Sequence, residues 1–185
     1  RLGQKALKKN FEEHLKILGD TGIDLIILEA MTSEVETVKT LIDCSKKVNL
    51  PTWLSVSCAF DLETNKVMLG YQESIGNTKA EIYGDFDNAI KQFSSMHDGP
   101  ILIAHSDIKI INDAIKIIKN NHRGFVGTYP NNGYFEKPHW KSIENFTPEN
   151  YLNEAKSWVK NGSQIIGGCC GVGPDLIKGL SELKQ

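Results

Sequence analysis

Short apolar runs alternate with stretches of helical periodicity along the whole chain, and this alternation restricts the fold more than any other feature. Ile23-Asp24-Leu25-Ile26-Ile27-Leu28 is a run of the kind found in strands buried on both faces, and it ends at Glu29. Four more such runs follow: Thr52 to Ser57 behind Pro51, Ile101 to Ala104, Gly124 to Thr128, and Ile165-Ile166. Between and around them lie amphipathic stripes: Leu7, Phe11, Leu15 and Leu18, with Gly22 as a stop; Val35, Val38, Leu41 and Ile42, behind a capping box of Ser33 and Glu36; and Phe86, Ala89, Ile90 and Phe93. Further along come Ile111, Ala114, Ile115 and Ile118, then a helix capped by Thr147-Pro148 with Tyr151, Ala155, Trp158 and Val159 inward, and finally Leu176, Ile177, Leu180 and Leu183. Strands alternating with helices call for a parallel sheet, open or part of a barrel, with function gathered at the carboxyl ends of the strands.

Only the polar, irregular stretch from Asp61 to Tyr83 resists this scheme, and it reads as a long loop or hairpin. Tyr129-Pro130-Asn131-Asn132-Gly133 is a turn signal after the fourth strand. No repeat and no linker divides the chain, so its 185 residues, 40% of them hydrophobic, read as one compact unit.

A net charge of -2 without a basic run argues against a nucleic-acid partner. No stretch approaches the roughly 18 apolar residues of a spanning helix, and Arg1-Leu2-Gly3-Gln4-Lys5 has no signal-peptide core, so a cytoplasmic protein off the membrane is expected. The four cysteines, Cys44, Cys58, Cys169 and Cys170, are too sparse for a disulfide scaffold.

Cys169 and Cys170 stand in the richest stretch of the chain, Gln164-Ile165-Ile166-Gly167-Gly168-Cys169-Cys170-Gly171-Val172-Gly173-Pro174-Asp175. It reads as a strand end, a glycine-rich loop and the first turn of a helix. Two thiols there can supply two ligands of a zinc site, form a strained vicinal disulfide, or simply fill the boundary between sheet and helix. The loop and helix start also suit a phosphate cradle that would use neither thiol. The other strand ends bring Glu29, Ser57-Cys58, His105-Ser106 and Tyr129-Pro130-Asn131. Cys44, within a helical stripe, and His139, beside Trp140, read as structural.

Gly167-Gly168-Cys169-Cys170-Gly171, with Pro174 and Ile177 following, resembles the C-terminal signature of the homocysteine S-methyltransferase family. Gly22 to Glu29, Pro51 to Ser55 and Tyr129 to Gly133 resemble segments of that family in the same order. The resemblance implies an α/β fold, a zinc-dependent (β/α)8 TIM-type barrel of which this chain supplies about the last five strand-helix units. Residues 1–185 would then form a homocysteine-binding domain whose N-terminal part, with the first strands and a glycine-rich substrate segment, has no counterpart here. Since such a barrel takes ~250 residues and opening one leaves bare strand edges, the chain is expected to be a fragment or half of an assembly.

By the same resemblance Cys169 and Cys170 are zinc ligands and Glu29 holds the substrate ammonium group. The partners are homocysteine or a related small thiol and a small-molecule methyl donor, and the product is methionine. Where the family places its third zinc-binding cysteine, after an asparagine, this chain reads His105-Ser106. The third ligand is therefore His105 through a neutral imidazole, Ser106, or nothing, with Cys58 a weaker candidate. The alternative is a catalytically silent homologue that keeps the fold but lacks a complete zinc site. Neither the donor nor the oligomeric state follows from these residues.

Overall fold

The structure, a computed structural model, describes residues 3–144 and 146–184; Arg1 and Leu2 of the start inspected for a leader lie outside the described residues. In chain order the elements are α1 (Gln4–Gly19), β1 (Ile26–Met31), α2 (Val35–Ser45), β2 (Thr52–Val56), β3 (Cys58–Asp61), β4 (Lys66–Tyr71), β5 (Glu81–Asp85) and α3 (Phe86–Ser94). There follow β6 (Ile101–Asp107), α4 (Ile111–Asn121), β7 (Val126–Asn131), β8 (Tyr134–Glu136), β9 (His139–Lys141), α5 (Pro148–Lys160), β10 (Ile165–Ile166) and α6 (Pro174–Gly179).

The five apolar runs form one sheet in the order β1-β2-β6-β7-β10, with every pairing parallel. Parallel neighbours need crossovers, and α2, the α3 segment, α4 and α5 supply them. Ile26, Leu28, Leu54, Val56, Ile101, Ile103 and Val126 face the helices and join one core with Leu15, Ile42, Phe93, Ile115 and Trp158. The opposite face is less covered at its β1 edge. Ile26 and Leu28 are buried against the helices, whereas Ile27 between them, on the opposite face, is 42% exposed and Glu29 is also exposed. Period-two alternation on an edge strand marks a sheet with one dressed face. Among the described residues no helix is long and apolar enough to cross a membrane.

Five local readings of the sequence need correction. The fourth expected strand is β7, Val126–Asn131, so Tyr129 to Asn131 belong to the strand and not to the turn that follows it. β1 starts at Ile26, not Ile23, and continues through Glu29 to Met31, so Glu29 lies within the strand. The Ser33–Glu36 capping box does not form, because α2 begins at Val35 with Glu34 as its cap, and Glu36 instead accepts a hydrogen bond from Lys39. Of the two readings of Asp61 to Tyr83 the hairpin holds and the long loop does not: β3 and β4 pair antiparallel, and β5 adds a third strand to a sheet in which Val67 and Leu69 are buried. Val159 and Ile177, expected inward, are 45% and 42% exposed. The Thr147 cap of α5 forms as expected, a capping box with Asn150 and Pro148 at its start.

Candidate functional site

The carboxyl ends of β6, β7 and β10 converge, and each end is shaped by its backbone. At the end of β6 the pairing with β7 shifts between Ala104 and Asp107, and His105 takes the left-handed conformation, φ 51°. A non-glycine residue rarely adopts it, because Cβ crowds the backbone. Here it sends adjacent side chains to different destinations. Ser106 is fully buried, its Oγ accepting from the Cys58 N–H at 2.9 Å and donating to the Ala104 carbonyl at 2.7 Å. The Nδ1 of His105 lies 3.7 Å from Cys169 Sγ and 3.8 Å from Cys170 Sγ. The structure thus brings His105 to the cysteines and sends Ser106 away from them.

The cysteine loop is clamped to the end of β7. The Cys169 N–H donates to the Pro130 carbonyl at 3.0 Å, and the Asn132 N–H donates to the Cys170 carbonyl at 2.8 Å. Tyr151 of α5 donates to the Gly167 carbonyl at 2.5 Å, fixing the root of the loop. Gly171 has φ 75°, and a Cβ there would fall 2.2 Å from both the Asn132 carbonyl oxygen and Trp140 Nε1. The loop can therefore turn here only without a side chain. The N–H groups of Gly167, Cys169 and Val172 already donate to protein carbonyls, so these three are not free to cradle a phosphate.

Cys169 and Cys170 are free thiols with sulfurs 3.8 Å apart, far from the ~2.05 Å of a disulfide. Their sulfurs and His105 Nδ1 form a triangle with edges of 3.8, 3.7 and 3.8 Å. A zinc tetrahedron with sulfur at about 2.3 Å and imidazole nitrogen at about 2.05 Å has edges of about 3.8 Å between sulfurs and about 3.6 Å from sulfur to nitrogen. The donor set and its spacing fit such an ion, with a fourth corner left for another ligand. Among the described residues this trio is the group of His, Cys, Asp and Glu side chains close enough to share a metal. The Cys169 thiol beside His105 raises its pKa above the ordinary imidazole value, against the partial burial that opposes it.

Glu29 lies apart from this trio and is held by Tyr129. The Tyr129 hydroxyl lies 2.7 Å from Glu29 Oε2 and also pairs with Ser55 Oγ. A phenol has one proton, so Tyr129 donates to the carboxylate and accepts from the serine. In the strand order Tyr129 reaches from β7 past β6 to β2 and β1, and the residue beside it on β6 is the small Ala104. Burial raises the Tyr129 pKa, with the charges of Glu29 and Cys169 adding to it.

The remaining candidates fall outside the cluster. Cys58 is fully buried and its thiol is pushed up to about 12 by that burial, so it is packing rather than a ligand. Cys44 is buried on α2. His139 is exposed on β9, while its neighbour Trp140 donates to the Asn132 carbonyl at 2.8 Å. Sequence reasoning missed Tyr71, whose ring stacks on His105 with centroids 4.7 Å apart and planes at 26°, because it sits in the stretch read as a loop or hairpin. It placed Tyr129 at a functional strand end but missed its contact with Glu29.

A family model described as homocysteine S-methyltransferase matches residues 1–183. Selenocysteine methyltransferase of Astragalus bisulcatus is 24% identical over 184 residues, covering 97% of this chain and 50% of that protein. Homocysteine S-methyltransferase 3 of Zea mays is 25% identical over 185 residues, covering 96% of this chain and 50% of that protein. The chain spans about half the length of these curated relatives. Among solved structures, the homocysteine methyltransferase MmuM from Escherichia coli, in its oxidized form, superposes with a TM-score of 0.62 at 15% identity over 95% of this chain and 52% of that one. The carboxyl transferase domain of Rhizobium etli pyruvate carboxylase gives the same TM-score at 10% identity over 96% of this chain and 28% of that one, a likeness of fold alone.

Proposed function

Because the chain belongs to the homocysteine S-methyltransferase family, we propose that it forms the C-terminal portion of a (β/α)8 barrel and carries the metal-holding side of a methyl-transfer site. The acceptor is the thiol of homocysteine, or a related thiol or selenol, and the donor is a small activated-methyl compound. The barrel reading is supported by the all-parallel strand order, by the partly uncovered face at β1 and by the half-length match to relatives.

One observation carries the site reading: three soft or borderline donors, one from the end of β6 and two from the loop after β10, meet with the edges of a zinc tetrahedron. Cys169 and Cys170 would hold zinc as thiolates and His105 through Nδ1. When bound, zinc supplies the Lewis acidity that lets a substrate thiol give up its proton near neutral pH. Glu29, at the mouth of the sheet, receives the substrate ammonium group, and Tyr129 keeps the carboxylate turned toward it. In the overall reaction the acceptor loses a proton, its sulfur bonds to the methyl carbon, and the bond from that carbon to the donor breaks. Homocysteine would leave as methionine.

Metal analysis of purified protein separates this from a silent homologue. About one zinc per chain is expected, lost together with methyl transfer in Cys170→Ala. Wild-type protein that folds normally and stays metal-free in the presence of zinc would overturn the reading.

A further inference from the structure

A histidine that offers Nδ1 to a metal carries its proton on Nε2, and that N–H needs an acceptor to hold the ring in the working tautomer. Two groups near His105 have the chemistry. Glu73 lies close enough for its charge to act on the ring, yet both its oxygens are engaged: Oε1 takes the Tyr71 hydroxyl, and Oε2 takes the Phe135 N–H at 2.7 Å. Asn131 is different. It is 1% exposed, and neither its Oδ1 nor its Nδ2 has a hydrogen-bond partner. Buried polar side-chain atoms are normally paired, so an amide with both ends unpaired marks a contact made in another state of the site.

The register explains why this amide is at hand. Asn131 pairs with Asp107 across the β6–β7 ladder, just beyond the shift that turns His105 out of line. The Asn131 side chain acts on the His105 ring to raise its pKa, although its amide makes no hydrogen bond of ordinary geometry in this state. Tyr71 stacks on the ring and limits its rotation. The next residue, Asn132, faces elsewhere, its amide bonding to the Gly171 carbonyl and taking the Ile143 N–H.

We propose that Asn131 is the positioning residue for His105, its Oδ1 accepting the Nε2–H and so holding Nδ1 toward Cys169 and Cys170 when the metal is bound. The proposal rests on the reading of His105 as a zinc ligand and extends it by one shell. It acts through His105 and touches neither substrate nor metal.

Zinc retention against a competing chelator, together with imidazole ¹⁵N–¹H spectra of the zinc-loaded protein, tests it. Asn131→Ala is expected to weaken zinc binding by roughly 10- to 100-fold and to remove the hydrogen-bonded Nε2–H signal of His105. Asn131→Asp keeps an acceptor in place; it is expected to hold zinc as the wild type does and to move that signal. Wild-type zinc retention with an unchanged His105 signal in Asn131→Ala overturns the proposal. If the alanine variant does not fold, an unmoved signal in Asn131→Asp does so instead. His105→Ala separates the two levels: undiminished zinc binding there sinks the ligand reading itself, whereas loss there with retention in Asn131→Ala sinks only the positioning role.

Discussion

The Nδ1 of His105 lies 3.7 Å from the sulfur of Cys169, a residue 64 positions further along the chain. The left-handed backbone at His105 makes this approach, since it turns the imidazole out while Ser106 turns inward to bind the Cys58 N–H. The same conformation costs on the order of 1–3 kcal/mol for a non-glycine residue, a strain expected at a functional position.

Replacing His105 by cysteine changes the charge of the site rather than its shape. Zinc with two thiolates and a neutral imidazole has no net charge, whereas three thiolates leave it at minus one. A less positive centre lowers the pKa of a substrate thiol less. His105→Cys is therefore expected to keep zinc and to move the acid limb of the methyl-transfer pH profile upward. A limb at the wild-type position would contradict the proposed ligation.

The contact between Tyr129 and Glu29 predicts a split in the kinetics. A hydrogen-bonded ion pair to the substrate ammonium is worth about 1.5–3 kcal/mol, so Glu29→Gln is expected to raise KM for homocysteine by roughly 10- to 100-fold. Tyr129→Phe removes the donor that orients the carboxylate, and with it the partner of Ser55; a several-fold rise in KM with little change in kcat is expected. Equal losses in kcat and in kcat/KM would place Tyr129 in the transition state instead.

These two sites differ in how far they could be read from residues alone. The βα alternation and the glycine-cysteine loop are local patterns, and both appear in the structure where the sequence puts them. The choice between His105 and Ser106 depends on one backbone angle at a non-glycine residue, which no residue pattern encodes. Tyr129 meets Glu29 only because β6 lies between β7 and β2, a fact of sheet order rather than of sequence spacing. The hairpin reading of the polar stretch holds for β3 and β4, but the third strand, β5, is not legible because its segment lacks a continuous apolar run. The same stretch hid Tyr71, the ring that stacks on His105.

Gly171 is expected to tolerate no side chain. In Gly171→Ala the new Cβ would meet the Asn132 carbonyl oxygen and Trp140 Nε1, both at 2.2 Å, on a backbone at φ 75°. The strain alone is worth about 1–3 kcal/mol, and relieving the clash would pull the cysteine loop from the end of β7. A lowered Tm and faster zinc release to a chelator are the expected results. An unchanged release rate would mean that the clamp does not hold the thiols.

At the opposite end of the sheet, His97 and His122 flank the segment Asp98 to Pro100. The His97 ring nitrogen Nε2 is 3.2 Å from the Pro100 carbonyl, and that of His122 is 3.0 Å from the Gly99 carbonyl. Burial lowers both pKa values from 6.5, against the carbonyl contacts and Asp98, which act the other way. The folded state thus binds these protons less readily than the unfolded chain does. Above 6.5 both rings are neutral in either state and stability is unaffected; as pH falls below 6.5 the unfolded chain takes up protons first and stability is lost, until the folded pKa values are passed. His105 has the opposite sign, its raised pKa contributing stability that is present below 6.5 and lost as pH rises through the folded value. The informative quantity is therefore a difference between proteins. His122→Gln keeps a donor for the Gly99 carbonyl and cannot be protonated, so its urea midpoint is expected to fall less between pH 7.5 and pH 5.5 than that of the wild type. Equal falls would show that the His122 pKa is the same in the folded and unfolded chains.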